Sequence, residues 1–431
     1  LEKGNLIMKR RQKLTMKKLA FIVLSLIVIS GLIFSGCAKK EAAPAPAPEE
    51  KGPKEILLGA INSMTGIEAM VGNEHRWAYQ QAVNDINAKG GVYVKELDKK
   101  LPLKLIVADD ESDVSKAAAA AEKLIKLEKV DFVLGTVNTP GNTSGGAVAE
   151  KYKKLYMTTT FFPEMFADNK FTWVVDSFFS IANLADSAAG CLDAIPADQR
   201  PKNFCILVGD NPDGHGFGGG AKATLEKYKY NLALYEPFTE GSKDFSSSIL
   251  RMKAAGCDAL ITLITSTDGM TLIRQIKENN YNLKYIWGAK GFWPIEFGEA
   301  LGKDSDYIVS DGHWAEALGA PGSKELGEKY RAQFGATKYS VTIGNFYALV
   351  QALAQAIEAA GSIDNTKVRD VFYSGKFVAK DTTEGDLAFN TSGLATFPAV
   401  ALQWMGGKRM PVWPISPNVW TLKLIPPWNQ R

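Results

Sequence analysis

The chain has 431 residues, 46% of them hydrophobic and 23% charged, with a formal net charge of +3. That length fills two domains of ordinary size more readily than one large core. Residues 1–36 hold seven Lys or Arg and one Glu, so removing their +6 leaves the remainder at −3. A mildly acidic balance of this kind argues against a nucleic-acid partner, which needs a basic surface.

The first element in chain order is an apolar run from Leu19 to Phe34, preceded by Lys9, Arg10, Arg11, Lys13, Lys17 and Lys18. This is the shape of a secretory signal peptide, and the run falls short of the roughly 20 residues that span a bilayer as a helix. The initiator is expected at Met8 or Met16. The run ends in Ile33-Phe34-Ser35-Gly36-Cys37, which resembles the lipobox of bacterial lipoproteins. That resemblance implies a lipid on Cys37 and a mature protein anchored to a bacterial membrane on its periplasmic or extracellular face; the alternative is an uncleaved anchor with an incidental cysteine. Residues 37–53 are charged and rich in proline, too poor in large apolar groups to fold, and read as a tether. The other cysteines, Cys191, Cys205 and Cys257, are odd in number and form no CxxC, and are read as mostly buried thiols.

From Glu55 onward, short β-branched runs alternate with amphipathic helices. Strands are expected at 55–61, 101–109, 130–137 and 155–160, with helices at 74–87, 114–127 and 146–154. A second series follows FTWVVDSFF, with strands at 203–209, 232–238, 257–265, 283–289 and 307–312 and helices at 181–194, 221–228, 245–255 and 270–279. Helices dominate 324–371, and three strands close the chain at 387–390, 397–405 and 407–413, split by Gly-rich turns. The βαβα order implies α/β architecture: two doubly wound parallel-sheet lobes with ligands beyond the carboxyl ends of the strands.

These residues resemble the leucine/isoleucine/valine-binding family, the substrate-binding proteins of branched-chain amino acid ABC transporters, from about Glu55 to Trp413. Met64-Thr65-Gly66 with Gly72 matches the opening loop, and Ala82 to Gly91 the first helix and its exit. Val107-Ala108-Asp109-Asp110 with Asp113 matches the second strand, and Phe397-Pro398 with Gln403-Trp404 the late hairpin. The resemblance implies the type I periplasmic-binding fold with three hinge crossings, placed near Asp176, Asp311 and Glu384. Lobe 1 is then 54–175 plus 312–383, and lobe 2 is 176–311 plus 384–431.

The resemblance also implies a ligand cleft. Thr139, beside Asn138, falls where the family holds a ligand carboxylate by a hydroxyl, and Phe161 and Phe162 fall in the next loop, facing either the pocket or the lobe core. His215 falls where an aromatic residue faces the cleft; the other reading is an exposed loop histidine. Lys290, near Phe292 and Trp293, replaces an acidic residue that pairs with a ligand ammonium, and a lysine attracts an anion. The expected guest is therefore a small organic or aromatic acid. A one-step alignment slip would instead leave Lys290 solvated, with Asp268 or Glu296 supplying negative charge for an amino acid.

Gly214, Gly216 and Gly219 have the spacing of a dinucleotide loop, but Asp210-Asn211-Pro212-Asp213 separate them from the preceding strand. Two carboxylates would also face the diphosphate, so no cofactor is expected. His75, His215 and His313 are too scattered for a metal site, and no GxSxG elbow is present. The sequence thus describes a non-enzymatic receptor closing on a solute and delivering it to an ABC permease; a sensor presenting the solute to a signalling receptor is the alternative.

Overall fold

The computed structural model describes residues 52–431 apart from Asn418; the expected leader, Cys37 and most of the tether lie outside them. The chain enters through β1 (Ile56–Asn62), α1 (Ala69–Ala88), β2 (Val92–Val94), β3 (Lys99–Leu101) and β4 (Leu103–Asp109). It continues with α2 (Val114–Lys126), β5 (Phe132–Leu134), α3 (Thr139–Tyr152), β6 (Tyr156–Thr158), α4 (Pro163–Asn169) and β7 (Val174–Ser177). Next come α5 (Ile181–Gly190), β8 (Asn203–Gly209), α6 (Pro212–Lys227), β9 (Asn231–Phe238), α7 (Ser246–Ala254) and β10 (Ala259–Ile264). These are followed by α8 (Ser266–Glu278), β11 (Tyr285–Lys290), α9 (Ile295–Leu301) and β12 (Val309–Gly312). The last elements are α10 (Ser323–Phe334), α11 (Ile343–Ala360), α12 (Asn365–Phe372), β13 (Val378–Thr382), β14 (Gly385–Ala388), β15 (Leu394–Ala395), β16 (Val400–Met405) and β17 (Lys408–Trp413).

The strands sort into two main sheets. The first has the order β15-β7-β6-β5-β1-β4 with every pair parallel, and the second the order β17-β16-β12-β11-β10-β8-β9. In the second sheet β16 runs antiparallel to both β12 and β17. Parallel strands carry helices on both faces and so need apolar residues on both. β10, ALITLI, is accordingly buried at every position. The two lobes expected from the alternation of elements are therefore present, as is the type I periplasmic-binding architecture.

The chain crosses between the sheets after β7, after β12 and through residues 396–399. The third crossing differs from the expectation near Glu384. Leu394 and Ala395 pair in parallel with Asp176 and Ser177, which keeps residues 384–395 with the first lobe. The three crossings meet in an aromatic cluster: Phe178 stacks on Phe179 at 4.0 Å, and His313 stands edge-on to both and to Trp293.

Two further sequence expectations change. Cys205 and Cys257 are joined in a disulfide, leaving Cys191 as the free, buried thiol among the described residues. The neighbouring parallel strands β8 and β10 bring their Cα atoms to 5.9 Å, within bonding range. The second change concerns the glycine-rich stretch, which is helical from Pro212 rather than from Ala221. Asn211 caps it by accepting from the Gly214 N–H at 2.9 Å, and Pro212 occupies its first turn. The glycines let this helix pack closely: a Cβ on Gly218 would stand 2.6 Å from the Tyr235 hydroxyl, and one on Gly216 2.6 Å from Met165 Cε. Tertiary packing thus outweighs glycine's poor helix propensity.

Candidate functional site

The loops at the carboxyl ends of the strands face one another across the crossings, where a doubly wound sheet presents ligands. In the first lobe Asn142 fixes two of these loops. Its Oδ1 accepts from the Thr136 N–H at 2.9 Å and the Tyr156 hydroxyl at 2.8 Å, while its Nδ2 donates to the Thr160 carbonyl and hydroxyl. Asn138 caps α3 by accepting from the Gly141 N–H, which directs the helix N-terminus and Thr139 into the cleft.

From the second lobe, Asp213 lies in the first turn of α6, and its Oδ2 accepts from the Thr139 N–H at 3.3 Å. The other oxygen, Oδ1, has no partner, and neither has the Thr139 hydroxyl. Burial raises the Asp213 carboxyl above its ordinary range, against the pull of Lys290 and the hydrogen bond from the Thr139 N–H. Lys290 ends β11 in the left-handed region, with φ of 62°, a costly conformation for a residue with a Cβ and one that concentrates at functional sites.

The Lys290 ammonium pairs with Glu68, which immediately precedes α1 in the opposite lobe, and the two side chains are 9% and 4% exposed. Burial alone would lower the ammonium's pKa, but Glu68, Glu240 and Asp213 outweigh it and hold Lys290 protonated. Behind this pair Asp311 accepts from the Trp293 indole N–H and, at 3.3 Å, from the Lys290 backbone N–H. Burial pushes the Asp311 carboxyl up to about 8, so it is mostly neutral at pH 7.

The enclosed space measures about 30 Å³, with Phe162, Phe178, Phe179, Leu184 and Trp293 among its walls and Thr139, Asp213 and Lys290 as polar corners. That volume holds about one water molecule. A solute enters only if the lobes part, and closure then surrounds it with groups from both.

The structure brings Asn138, Thr139, Phe162 and Lys290 to this cavity. Four other expected residues lie elsewhere. Phe161 packs on Phe166 and Phe171 inside the first lobe, and Phe292 stacks on Phe297 under the second sheet, because each belongs to the wall behind its loop. His215 is on the outer face of α6, bonded to Asp210 at 2.7 Å and half exposed. Asp268 is turned back to the Gly241 N–H and the Thr265 hydroxyl.

Sequence reasoning missed Asp213 and Glu68. Asp213 follows an Asn-Pro cap immediately after a strand end, a cue that places it at the cleft. Glu68 follows the opening loop's Gly66 in the same way. Phe178 and Phe179, to which the sequence reading assigned no role, line the cavity because the first crossing passes through them.

Two lobes, three crossings and an interlobe cavity of mixed charge define the class of clamshell solute receptors. The chain belongs to the periplasmic binding protein family, whose model matches residues 55–408, and it is similar to Leu/Ile/Val-binding proteins. It is 22% identical to Leu/Ile/Val-binding protein homolog 7 of Brucella suis, over 89% of this chain and 96% of that protein. It is 27% identical to the Leu/Ile/Val-binding protein BraC3 of Rhizobium johnstonii, over 82% of this chain and 93% of that protein. Its fold is shared with the branched-chain amino acid transporter substrate-binding protein LivJ of Streptococcus pneumoniae, solved with isoleucine. That likeness has a TM-score of 0.72 at 20% identity, over 83% of this chain and 98% of that one.

Proposed function

We propose that this protein is the exported receptor of an ABC importer and that it closes on a small amino acid with an apolar or aromatic side chain. The observation that carries this reading is the Asp213 carboxylate, held on the α3 N-terminus beside Lys290 and Glu68. Its place on the Thr139 N–H marks a carboxylate-binding position, which suits a ligand carboxylate. A ligand there displaces Asp213, whose carboxylate then accepts the ligand ammonium. The aromatic walls take the side chain.

The sequence-based case for an organic acid rested on Lys290 standing in place of an acidic residue and drawing an anionic counter-ion from the ligand. Glu68 supplies that counter-ion, and Asp213 adds a further carboxylate, so a purely anionic guest meets excess negative charge. Closure around ligand contacts from both lobes stabilises the form that the permease engages. Lipidation of Cys37 would keep the receptor at the membrane, and the buried disulfide suits an oxidising compartment. Among the described residues no helix is long and apolar enough to cross a membrane.

A thermal-shift screen of amino acids, their amides and the corresponding acids tests the reading, because a ligand that binds only the folded state raises its melting temperature. Amino acids are expected to stabilise wild type strongly and Asp213→Asn weakly. Stabilisation by des-amino acids alone would restore the organic-acid reading.

A further inference from the structure

We propose that a crevice behind the hinge is a second ligand site, one that takes a small organic anion with an aromatic or branched apolar body. The crevice measures about 560 Å³, within the usual size of small-molecule pockets, and shares no lining residue with the interlobe cavity. Trp314 and Val341 wall it from the first lobe, and Leu402, Met410 and Trp420 from the second. Trp420 is 56% exposed, yet its backbone N–H is fixed to the Pro411 carbonyl at 2.8 Å beside β17.

Five cationic side chains and one carboxylate line this space. The carboxylate, Glu316, is already held by Arg331 at 2.5 and 3.0 Å. Lys338 pairs with Glu299 outside the crevice. Arg409 is different. It is 8% exposed, its guanidinium lies over the Trp404 ring at 4.9 Å, one guanidinium nitrogen donates to the Trp293 carbonyl, and its Nε and Nη2 have no hydrogen-bond acceptor.

Burial lowers the Arg409 guanidinium to about 10, so it is charged at neutral pH. Glu74, the carboxylate that most offsets this, spends its oxygens on the hydroxyls of Ser340, Thr342 and Tyr330. A buried, charged donor without an acceptor draws negative charge toward that end of the crevice, and an anion that reaches it gains charge-assisted hydrogen bonds.

The site reaches the cleft through one residue. Arg409 holds the carbonyl of Trp293, which walls the interlobe cavity. Because the crevice is lined from both lobes, its occupant biases the hinge, and by linkage the two ligands alter each other's affinity. The proposal does not depend on which solute the cleft takes.

The test uses protein purified from a host expressing the full chain, with 1-naphthoate and its uncharged analogue 1-naphthamide as probes. Binding is read by tryptophan quenching and calorimetry. Naphthoate is expected to bind at least tenfold more tightly than the amide. Arg409→Gln and Met410→Glu are each expected to weaken naphthoate at least tenfold, whereas Thr139→Val in the cleft leaves it unchanged. Met410 is half-buried at the surface, so its variant keeps the test decisive if Arg409→Gln fails to fold. Equal affinity for acid and amide, no naphthoate binding, or a loss in Thr139→Val without one in Met410→Glu would overturn the proposal. Amino-acid thermal shifts on the same variants report the cleft separately, so failure of either reading is distinguishable.

Discussion

Lys290→Met probes the closure mechanism directly. In the closed form it leaves Glu68 buried near Glu240 and Asp213 with no cation beside them. Removing one member of a buried ion pair costs about 3–5 kcal/mol. Here the cost falls on the closed form alone, because opening returns Glu68 to water. A penalty of about 4 kcal/mol corresponds to roughly a thousandfold shift toward the open form, with apparent ligand affinity falling alongside.

Glu68→Gln should cost less, since Asp213 and Glu240 still face the lysine. The double variant Lys290→Met/Glu68→Met removes both charges and should recover most of the loss, because apolar replacements of a whole buried pair are often neutral. Small-angle scattering without ligand measures opening as a larger radius of gyration, and calorimetry with a stabilising amino acid measures affinity. The reasoning fails if Lys290→Met changes neither, or if the double variant is as impaired as the single one.

Asp213→Asn is expected to lower amino-acid affinity at least tenfold in calorimetry, while des-amino analogues lose less. The pH dependence follows from Asp311 and His313. Burial raises Asp311 from 3.8 to about 8, so its contribution is fully present below about pH 4 and is lost as pH rises through 8. Burial lowers His313 from 6.5 to about 3, so it opposes folding increasingly as pH drops below 6.5. Between pH 6.5 and 8 the Asp311 slope therefore stands alone of the two, and urea unfolding should show wild type losing stability relative to Asp311→Asn; parallel curves would refute this. Gly214→Ala should destabilise by about 1–3 kcal/mol, because its Cβ would overlap the Gly209 carbonyl oxygen. Gly219→Ala, with nothing within 4 Å, should stabilise the same helix by about 0.5–1 kcal/mol, and thermal melts of the pair distinguish the cases. Replacing Cys205 and Cys257 by alanine is expected to cost about 2–5 kcal/mol in denaturant unfolding.

Half of the expected site was legible, and Asn138 and Thr139 reached it through the family resemblance. The helix expected from residue 146 begins at Thr139 with Asn138 as its cap, a strand-to-helix junction that a local reading of the cap would find. Phe161 and Phe162 show where such rules stop. Adjacent and chemically identical, they divide between core and cavity because the backbone turns between them, and composition does not reveal that turn. His215 and Asp213 divide in the opposite sense: two residues apart on α6, they project to different sides of the helix, and the one nearer the cap faces the cleft.

The sequence by itself determined the alternation of strands and helices, the two mainly parallel sheets and the family, because hydrophobic periodicity and strand-end loops are short-range patterns that survive without knowledge of partners. Only the tertiary structure decided the charge of the cleft. Lys290 and Glu68 are separated by more than two hundred residues and belong to different lobes, so neither carries a local sign of the other. The same holds for Cys205 with Cys257, and for the pairing that returns Leu394 and Ala395 to the first sheet. Burial turns such distant pairings into large free energies, and burial is a property of the closed molecule rather than of any segment.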